Sequence, residues 1–149
     1  MTYKHLMKQF KINIKKKYIN YIKERVASFN WEYLPNINNW DLGVNKTVLK
    51  DICNYWVSKY NWQQEEEKLN SLNHFTSDVD DLNIHFVYEK SKSPNAMPLL
   101  ISHGWPGSFL EFKTIIGPLT NPKQFGLDDD ICFDLVMPSI PGFTFSEAP

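Results

Sequence analysis

Apolar residues recur at two different spacings along the chain, and each spacing predicts a different kind of element. Alternating apolar residues and short apolar runs predict strands, at residues 10–14, 82–88, 99–101 and 131–137. Spacings of three and four residues predict helices, at residues 15–29, 45–60, 62–72 and 109–116. Because a helix lies between the last two strands, we expect those strands to run parallel, joined by a right-handed crossover. The pattern favours an α/β fold.

Polar residues at the predicted helix boundaries support these assignments. Asn45 and Asn61 are placed to cap the second and third helices, and Ser108 forms an S-x-x-E capping box with Glu111. Gly117-Pro118 is expected to end the last helix. The second helix has the widest apolar face, and we expect that face to be covered.

The segment 31–43 has no hydrophobic period and contains Pro35, Gly43 and several Asn residues, which is typical of an irregular connection. Long connections in compact domains are usually fixed by large side chains. We therefore expect Trp31 and Trp40 to anchor this one.

Composition narrows the classes of protein to which the chain can belong. Its 149 residues carry 16 Lys and Arg against 17 Asp and Glu, a formal net charge of −1, so no overall attraction for nucleic acid or anionic membrane is expected. No apolar stretch approaches the roughly 18 to 20 residues of a membrane-spanning helix, and the chain as given is expected to be soluble and cytoplasmic. Cys53 and Cys132 lie in apolar patterns and are interpreted as reduced core residues.

Three groups of residues carry side chains that can bind metals, but none has the spacing that a metal site requires. Glu65–Glu67 point in different directions on a helix, and Asp128–Asp130 lack the spacing of a calcium loop. His85 and His103 could face each other across neighbouring strands, but no third ligand at zinc-like spacing accompanies them. His5 and His74 have no partner that the sequence identifies. Nothing in the sequence calls for a metal or cofactor.

The stretch from Met97 to Ser108, MPLLISHGWPGS, has the pattern of a buried strand, a tight turn and a helix start. We expect Gly104 and Gly107 to let the backbone turn without Cβ clashes, while Pro106 fixes its own φ and has no N–H. The remaining N–H groups can point into a site, because loops at the carboxyl ends of strands in α/β sheets receive ligands and developing negative charge. A tight reversal between the two glycines makes a cis bond between Trp105 and Pro106 accessible, with a trans proline that begins the helix as the alternative.

Several motifs together resemble the microsomal-type epoxide hydrolases of the α/β-hydrolase fold, a group that includes juvenile hormone epoxide hydrolases. The matching residues are Tyr55-Trp56, Tyr60-Asn61-Trp62, Glu65, Leu69-Asn70, Leu82-Asn83-Ile84-His85-Phe86, His103-Gly104-Trp105-Pro106-Gly107-Ser108, Glu111-Phe112 and Pro138-Ser139-Ile140-Pro141-Gly142-Phe143. Asn61, Gln63 and Asp81 depart from the family's usual Asp, Arg and Gly.

The resemblance implies a partial α/β-hydrolase fold: a helical, meandering N-terminal segment over 1–95, then the start of the hydrolase core over 96–149. It also implies that the Trp105 N–H is an oxyanion donor, in a loop shaped by His103, Gly104, Pro106, Gly107 and Ser108. The family's Asp nucleophile, charge-relay acid, catalytic His and two cap tyrosines are expected after Pro149. The resemblance also favours the cis form of the Trp105–Pro106 bond in the complete enzyme.

The resemblance makes the chain the N-terminal part of an enzyme that opens small apolar epoxides to vicinal diols through an Asp ester. It also leaves open a location at the endoplasmic reticulum membrane, if an anchor lies upstream. Two alternatives remain: a non-catalytic binding or interaction protein derived from the family, and an esterase or dehalogenase relative. Strand 131–137 is expected to present an open sheet edge through which copies of the chain self-associate.

Overall fold

The computed structural model describes residues 7–127 and 131–149, which form two compact units. One unit comprises the described residues up to Ile12 together with Lys68–Pro149, and the other is Asn13–Glu67. Residue 95 therefore lies inside the first unit, between strands of a single sheet. The division at residue 95 does not separate compact bodies, and as a division between family segments it stays a prediction.

Helices dominate the unit Asn13–Glu67. They are α1 (Lys16–Ala27), a 3-10 turn at Trp31–Tyr33, α2 (Lys46–Ser58) and the beginning of α3 (Trp62–Leu69). The two predicted caps are confirmed. The Asn45 side chain accepts hydrogen bonds from the N–H groups of Thr47 and Val48, at 2.9 and 3.2 Å. The Asn61 side chain accepts one from Gln64 N–H at 3.3 Å.

The apolar face of α2 is not covered as the sequence predicted. Ile52 is 55% exposed and Trp56 is 41% exposed, and both line an apolar groove of about 570 Å³ together with Ile19 of α1. Trp40 is also exposed and does not anchor the connection, whereas Trp31 packs against Phe29 with ring centroids 5.0 Å apart. Hydrophobic spacing predicts which residues share a face, but it does not determine what covers that face.

The other unit is built on a mixed five-stranded sheet, in the order β1-β2-β3-β5-β4. The strands are β1 (Lys8–Gln9), β2 (His74–Val79), β3 (Leu82–Glu89), β4 (Met97–Leu100) and β5 (Phe133–Pro138). β2 and β3 form an antiparallel hairpin. The strand predicted over 10–14 is displaced to Lys8–Gln9, because pairing with Phe75 and Thr76 of β2 determines where the first strand lies.

The parallel pairing of β4 and β5 is confirmed, but the predicted open edge is wrong. β5 pairs with β3 on one side and with β4 on the other, so it is an interior strand. β4 is the last strand in the described sheet. It is consequently not the buried strand that its apolar sequence predicted, since Met97 and Leu100 are 48% and 65% exposed.

The helix predicted over 109–116 is broken. A 3-10 turn at Phe109–Phe112 is followed by the short helix α4 (Ile116–Thr120). Gly117-Pro118 lies inside α4 and does not end the preceding helix. Proline is tolerated in a first helical turn, where its missing N–H would have no partner in any case.

The core of this unit is formed by Val87, Phe109, Leu135 and Met137. On β3 the fully buried residues are His85 and Val87, whereas the large apolar residues Ile84, Phe86 and Tyr88 lie on the half-buried face. Both cysteines are free thiols; Cys132 is buried as predicted, while Cys53 is only half-buried. None of the helices in the described part of the chain has the length and apolarity that crossing a membrane requires.

Candidate functional site

The 103–108 loop, His103 to Ser108, follows β4 and leads into the 3-10 turn at Phe109–Phe112. The Trp105–Pro106 peptide bond is cis, as predicted. A second loop, residues 139–147, follows β5. Because β4 and β5 are parallel neighbours, both loops leave the same edge of the sheet, where α/β sheets bind ligands.

His103 connects these two loops. Its ring is buried, with 4% of the residue exposed, and packs edge-on against Phe143 at a centroid distance of 5.4 Å. Its Nε2 accepts a hydrogen bond from Ile140 N–H at 3.2 Å. The ring proton consequently lies on Nδ1, which donates to the Gly104 carbonyl at 3.1 Å. Both ring nitrogens are thus bonded to the backbone.

The Gly104 carbonyl accepts a second hydrogen bond, from Gly107 N–H at 2.7 Å. This bond closes the turn around the cis peptide. The Trp105 N–H belongs to the same peptide group as the Gly104 carbonyl, and it has no hydrogen-bond partner among residues 7–127 and 131–149. The 103–108 loop therefore presents one unused backbone donor.

The Trp105 side chain is not enclosed by the described residues. Its indole is 84% exposed, and none of the prominent cavities in the described residues includes it. Its neighbours Gly104 and Pro106 are exposed as well. The loop thus places the ring of Trp105 at the surface of this chain.

The predicted capping box at Ser108 is confirmed. The Ser108 hydroxyl accepts from Leu110 N–H at 3.3 Å, and the Glu111 carboxylate accepts from Ser108 N–H at 3.2 Å. A Cβ at Gly107 would lie only 1.4 Å from Glu111 Oε1, whereas a Cβ at Gly104 would meet no atom within 4 Å. The absence of a Cβ therefore matters at Gly107, and the prediction that Gly104 avoids such a clash is wrong.

Two buried histidines that the sequence did not pair contact each other in the same unit. His74 Nδ1 of β2 lies 3.0 Å from His85 Nε2 of β3. His74 Nε2 lies 2.8 Å from the Leu69 carbonyl, and His85 Nδ1 lies 2.8 Å from the Ser139 hydroxyl. Because the Leu69 carbonyl can only accept, His74 carries its proton on Nε2, His85 Nε2–H donates to His74 Nδ1, and Ser139 donates to His85 Nδ1. This arrangement leaves both imidazoles neutral.

Burial favours the neutral state of both rings. Desolvation lowers the pKa of His74, an effect that the Leu69 carbonyl and the charge of Glu89 partly oppose. Desolvation and the neighbouring His74 lower the pKa of His85 to about 4. The rings also contact the aromatic side chains of Phe10, Phe109 and Phe145. We interpret the pair as part of the fold, because both rings are fully buried and bonded within the protein.

The hairpin explains why sequence reasoning missed this contact. His74 is brought next to His85 only when β2 pairs with β3 in the observed register, with Thr76 opposite His85. The available signal was Asp80-Asp81, two turn residues between alternating segments. Both have positive φ, 48° and 65°, which is typical of a tight hairpin turn.

The other candidate metal ligands lie apart from one another or make structural contacts. Among the described residues, no group of three His, Cys, Asp or Glu side chains could bind a metal ion. His85 and His103 have the separate partners described above. Glu66 accepts hydrogen bonds from Ile14 N–H and the Trp62 indole, at 2.8 and 2.9 Å, so it is more than a solvated side chain. His5 and Asp128–Asp130 lie outside the described residues.

Comparison with known proteins gives consistent matches. The family described as EHN, epoxide hydrolase N terminus, matches residues 7–112. Epoxide hydrolase 1 of Sus scrofa is 38% identical over 146 residues, covering 95% of this chain and 32% of that protein. Juvenile hormone epoxide hydrolase 1 of Ctenocephalides felis is 39% identical over 145 residues, covering 95% and 31%.

A solved structure matches the fold as well. The crystal structure of juvenile hormone epoxide hydrolase from the silkworm Bombyx mori superposes with a TM-score of 0.83 at 30% identity, covering 97% of this chain and 34% of that one. The chain thus spans about a third of the length of the relatives it matches.

Proposed function

Since the chain belongs to the epoxide hydrolase family, whose N-terminal region it matches over residues 7–112, we propose that it forms the N-terminal part of an enzyme that opens epoxides to vicinal diols. Family membership confirms the resemblance drawn from the sequence motifs, and the α/β-hydrolase fold with it. The substrate we propose is a small apolar epoxide. The specific contribution we assign to this chain is the oxyanion donor Trp105 N–H.

The proposed reaction has two steps. A carboxylate outside these 149 residues attacks an epoxide carbon, the C–O bond breaks, and the resulting alkoxide takes a proton to give a hydroxy ester. Water then adds to the ester carbonyl, and the tetrahedral oxyanion collapses to release the diol and the carboxylate. Backbone N–H groups that are already oriented stabilise such an oxyanion. In this proposal the Trp105 N–H is one of them.

The observation that carries the proposal is the unused Trp105 N–H in the 103–108 loop. Its peptide carbonyl is fixed by two hydrogen bonds, at 2.7 and 3.1 Å, while the N–H itself has no partner in the described chain. The loop lies at the carboxyl end of a parallel strand, where a developing negative charge can be received. The exposed Trp105 leaves room for a substrate-bearing ester to approach.

The test uses a chimera in which this chain replaces the matching N-terminal third of a related epoxide hydrolase. We expect the chimera to convert styrene oxide to its diol. Replacing the Trp105 residue by its α-hydroxy acid analogue turns the N–H into an ester oxygen. Because losing one oxyanion donor costs about 100- to 1000-fold in rate, hydrolysis of the ester intermediate should slow by that factor, while its formation changes little.

Two controls accompany this experiment. Trp105→Phe keeps the backbone N–H and should retain the rate of ester hydrolysis. The 149-residue chain alone should show no turnover above a heat-killed sample, because it contributes a donor and no nucleophile; its sequence contains neither a G-x-S-x-G nor a G-x-D-x-G motif. An unchanged hydrolysis rate in the analogue, or turnover by the chain alone, would contradict the proposal.

A further inference from the structure

The direction of the Trp105 N–H is determined from the other side of its peptide group. The Gly104–Trp105 bond is trans, since the cis bond in this loop is Trp105–Pro106. In a planar trans peptide the C=O and the N–H point in opposite directions. Whatever fixes the Gly104 carbonyl therefore aims the Trp105 N–H, which has no partner of its own in the described residues.

Two donors fix that carbonyl, and only one is a side chain. Gly107 N–H, at 2.7 Å, belongs to the same loop and moves with it. His103 Nδ1–H, at 3.1 Å, belongs to a buried ring whose Nε2 accepts from Ile140 N–H, so the ring is attached to a different loop. His103 thus connects this peptide to the 139–147 loop, which lies outside the 103–108 loop.

The 139–147 loop is in turn bonded to β3. The Ser139 hydroxyl bonds His85 Nδ1 at 2.8 Å, and the Ser146 hydroxyl donates to the Ser139 carbonyl at 2.7 Å and accepts from His85 N–H at 2.9 Å. The start of the 139–147 loop is therefore bonded to β3 by both of its serines. Ile140, the donor to His103, directly follows Ser139.

We propose that His103 is a positioning residue: in its Nδ1–H tautomer it bridges Ile140 N–H and the Gly104 carbonyl, and so aims the Trp105 N–H away from the protein interior. The inference rests on the proposed function for the purpose of that N–H, but its geometry is independent of catalysis. A general-base role is disfavoured, because both ring nitrogens are already bonded to backbone groups. Gly104–Pro106 is exposed, so His103 is the buried group that bonds this peptide.

Two substitutions separate the two hydrogen bonds of the ring. The side-chain amide of Asn reaches the position of Nδ1, so His103→Asn keeps a donor for the Gly104 carbonyl and loses the acceptor for Ile140 N–H. The amide of Gln reaches the position of Nε2, so His103→Gln keeps an acceptor for Ile140 and loses the donor for Gly104. The two variants remove one contact each at similar polarity.

The measurement is NMR on the isotopically labelled 149-residue chain. Nitrogen shifts of the wild-type His103 ring should show a protonated Nδ1 and an unprotonated Nε2. Residual dipolar couplings give the direction of the Trp105 N–H relative to the N–H groups of β5. We expect the coupling to be retained in His103→Asn and altered in His103→Gln, with β5 couplings unchanged in both.

The proposal is overturned if His103→Gln leaves the Trp105 coupling unchanged, or if wild-type His103 carries its proton on Nε2. The tautomer measurement needs no variant, so it decides the question even if a substitution prevents folding. A Trp105 analogue without effect on ester hydrolysis would refute the oxyanion role and leave these orientation results intact, so the two failures are distinguishable.

Discussion

The two glycines that flank the cis peptide have different roles. A Cβ on Gly107 would collide with the Glu111 carboxyl group, at 1.4 Å from Oε1, and would lie 3.1 Å from the Gly104 carbonyl. A Cβ on Gly104 would meet no atom within 4 Å, and Gly104 is not among the residues with positive φ. The glycine pair looks symmetric in sequence, yet only Gly107 lacks space for a side chain within this chain.

Gly107→Ala should therefore destabilise the chain, with Gly104→Ala as the matched control. The added methyl displaces Glu111 from Ser108 N–H and breaks half of the capping box, and the loss of a helix cap typically costs about 0.5 to 2 kcal/mol. We expect a decrease of about 1 kcal/mol in the free energy of unfolding, measured by urea denaturation, and a change near zero for Gly104→Ala. Equal effects of the two substitutions would contradict this assignment.

At the scale of elements, the β2–β3 hairpin has a turn whose residues are not ideal for its backbone. Asp80 and Asp81 both have positive φ, at 48° and 65°. A two-residue turn of this kind prefers Asp-Gly, because glycine reaches positive φ without a Cβ clash. Asp81 is also the position at which the resemblance to the family leads one to expect Gly.

Asp81→Gly should stabilise the hairpin. The strain energy that glycine relieves at positive φ exceeds the entropic free energy that it adds to the unfolded chain. We therefore expect a gain of about 0.5 kcal/mol in the free energy of unfolding. Asp78→Gly, within β2, is the control and should lower stability, because glycine weakens a strand interior. A loss of stability in Asp81→Gly, measured by thermal or urea denaturation, would show that the aspartate contributes more than its backbone costs.

The buried pair His74 and His85 should make stability depend on pH. Burial lowers both pKa values, that of His85 from 6.5 to about 4, so the unfolded chain binds more protons than the native chain between these values. Stability is therefore complete above about pH 6.5 and decreases as the pH falls towards 4. For His85 the full decrease is about 3 kcal/mol.

The negative charge of Glu89 raises the pKa of His74 and so opposes this loss of stability at low pH. Urea denaturation at several values between pH 7 and pH 5 avoids most carboxylate titration and should show the slope. His85→Gln, which keeps a donor for His74 but does not titrate, should flatten it. An NMR titration of the wild-type His85 ring provides the pKa directly, and a value at or above 6.5 would refute the explanation.

At the scale of the whole molecule, local features and the parallel pairing of β4 with β5 could be predicted, whereas the other strand pairings could not. The caps at Asn45 and Ser108 and the cis bond before Pro106 depend on neighbouring residues, and the structure contains all three. The strand β2 was missed because its buried residues include His74, Thr76 and Ser77. Polar residues are buried in a strand when partners from other segments satisfy their hydrogen bonds.

The wrong position of the open edge has the same origin. The apolar run of β5 predicts a strand but does not reveal its neighbours. In the sheet β5 lies between β3 and β4, although β4 comes between β3 and β5 in the sequence. In the same way, the HGWPGS motif identifies Trp105 as the candidate donor residue from sequence. The hydrogen bonds of His103 to Ile140 and Gly104 become visible only in the folded chain. The candidate site could thus be located from sequence, whereas the contacts that orient it could not.

The last strand of the described sheet is β4, and it should determine self-association of the chain. Met97 N–H donates to the Cys132 carbonyl just before β5, and Ile101 N–H, just after β4, donates to the Val136 carbonyl. In a regular parallel pairing the backbone groups of Pro98 and Leu100 therefore face outward. An unpaired strand edge is a template for another chain, and proline on an edge weakens it because it has no N–H to donate. β4 is thus a partly protected edge with two exposed apolar side chains, Met97 and Leu100, of which Leu100 is the more exposed.

We expect the chain to self-associate weakly through β4, detected by sedimentation velocity as a weight-average mass that rises with concentration. Pro98→Val restores an outward donor and should strengthen association, whereas Leu100→Lys places a charge on the edge and should weaken it. The control is Lys8→Glu on β1, at the opposite end of the sheet, and it should leave association unchanged. Val136→Lys is unsuitable as a control, because β5 is an interior strand. A concentration-independent monomer in the wild type and in Pro98→Val would show that the β4 edge does not pair, and a response to Lys8→Glu alone would move the contact to β1.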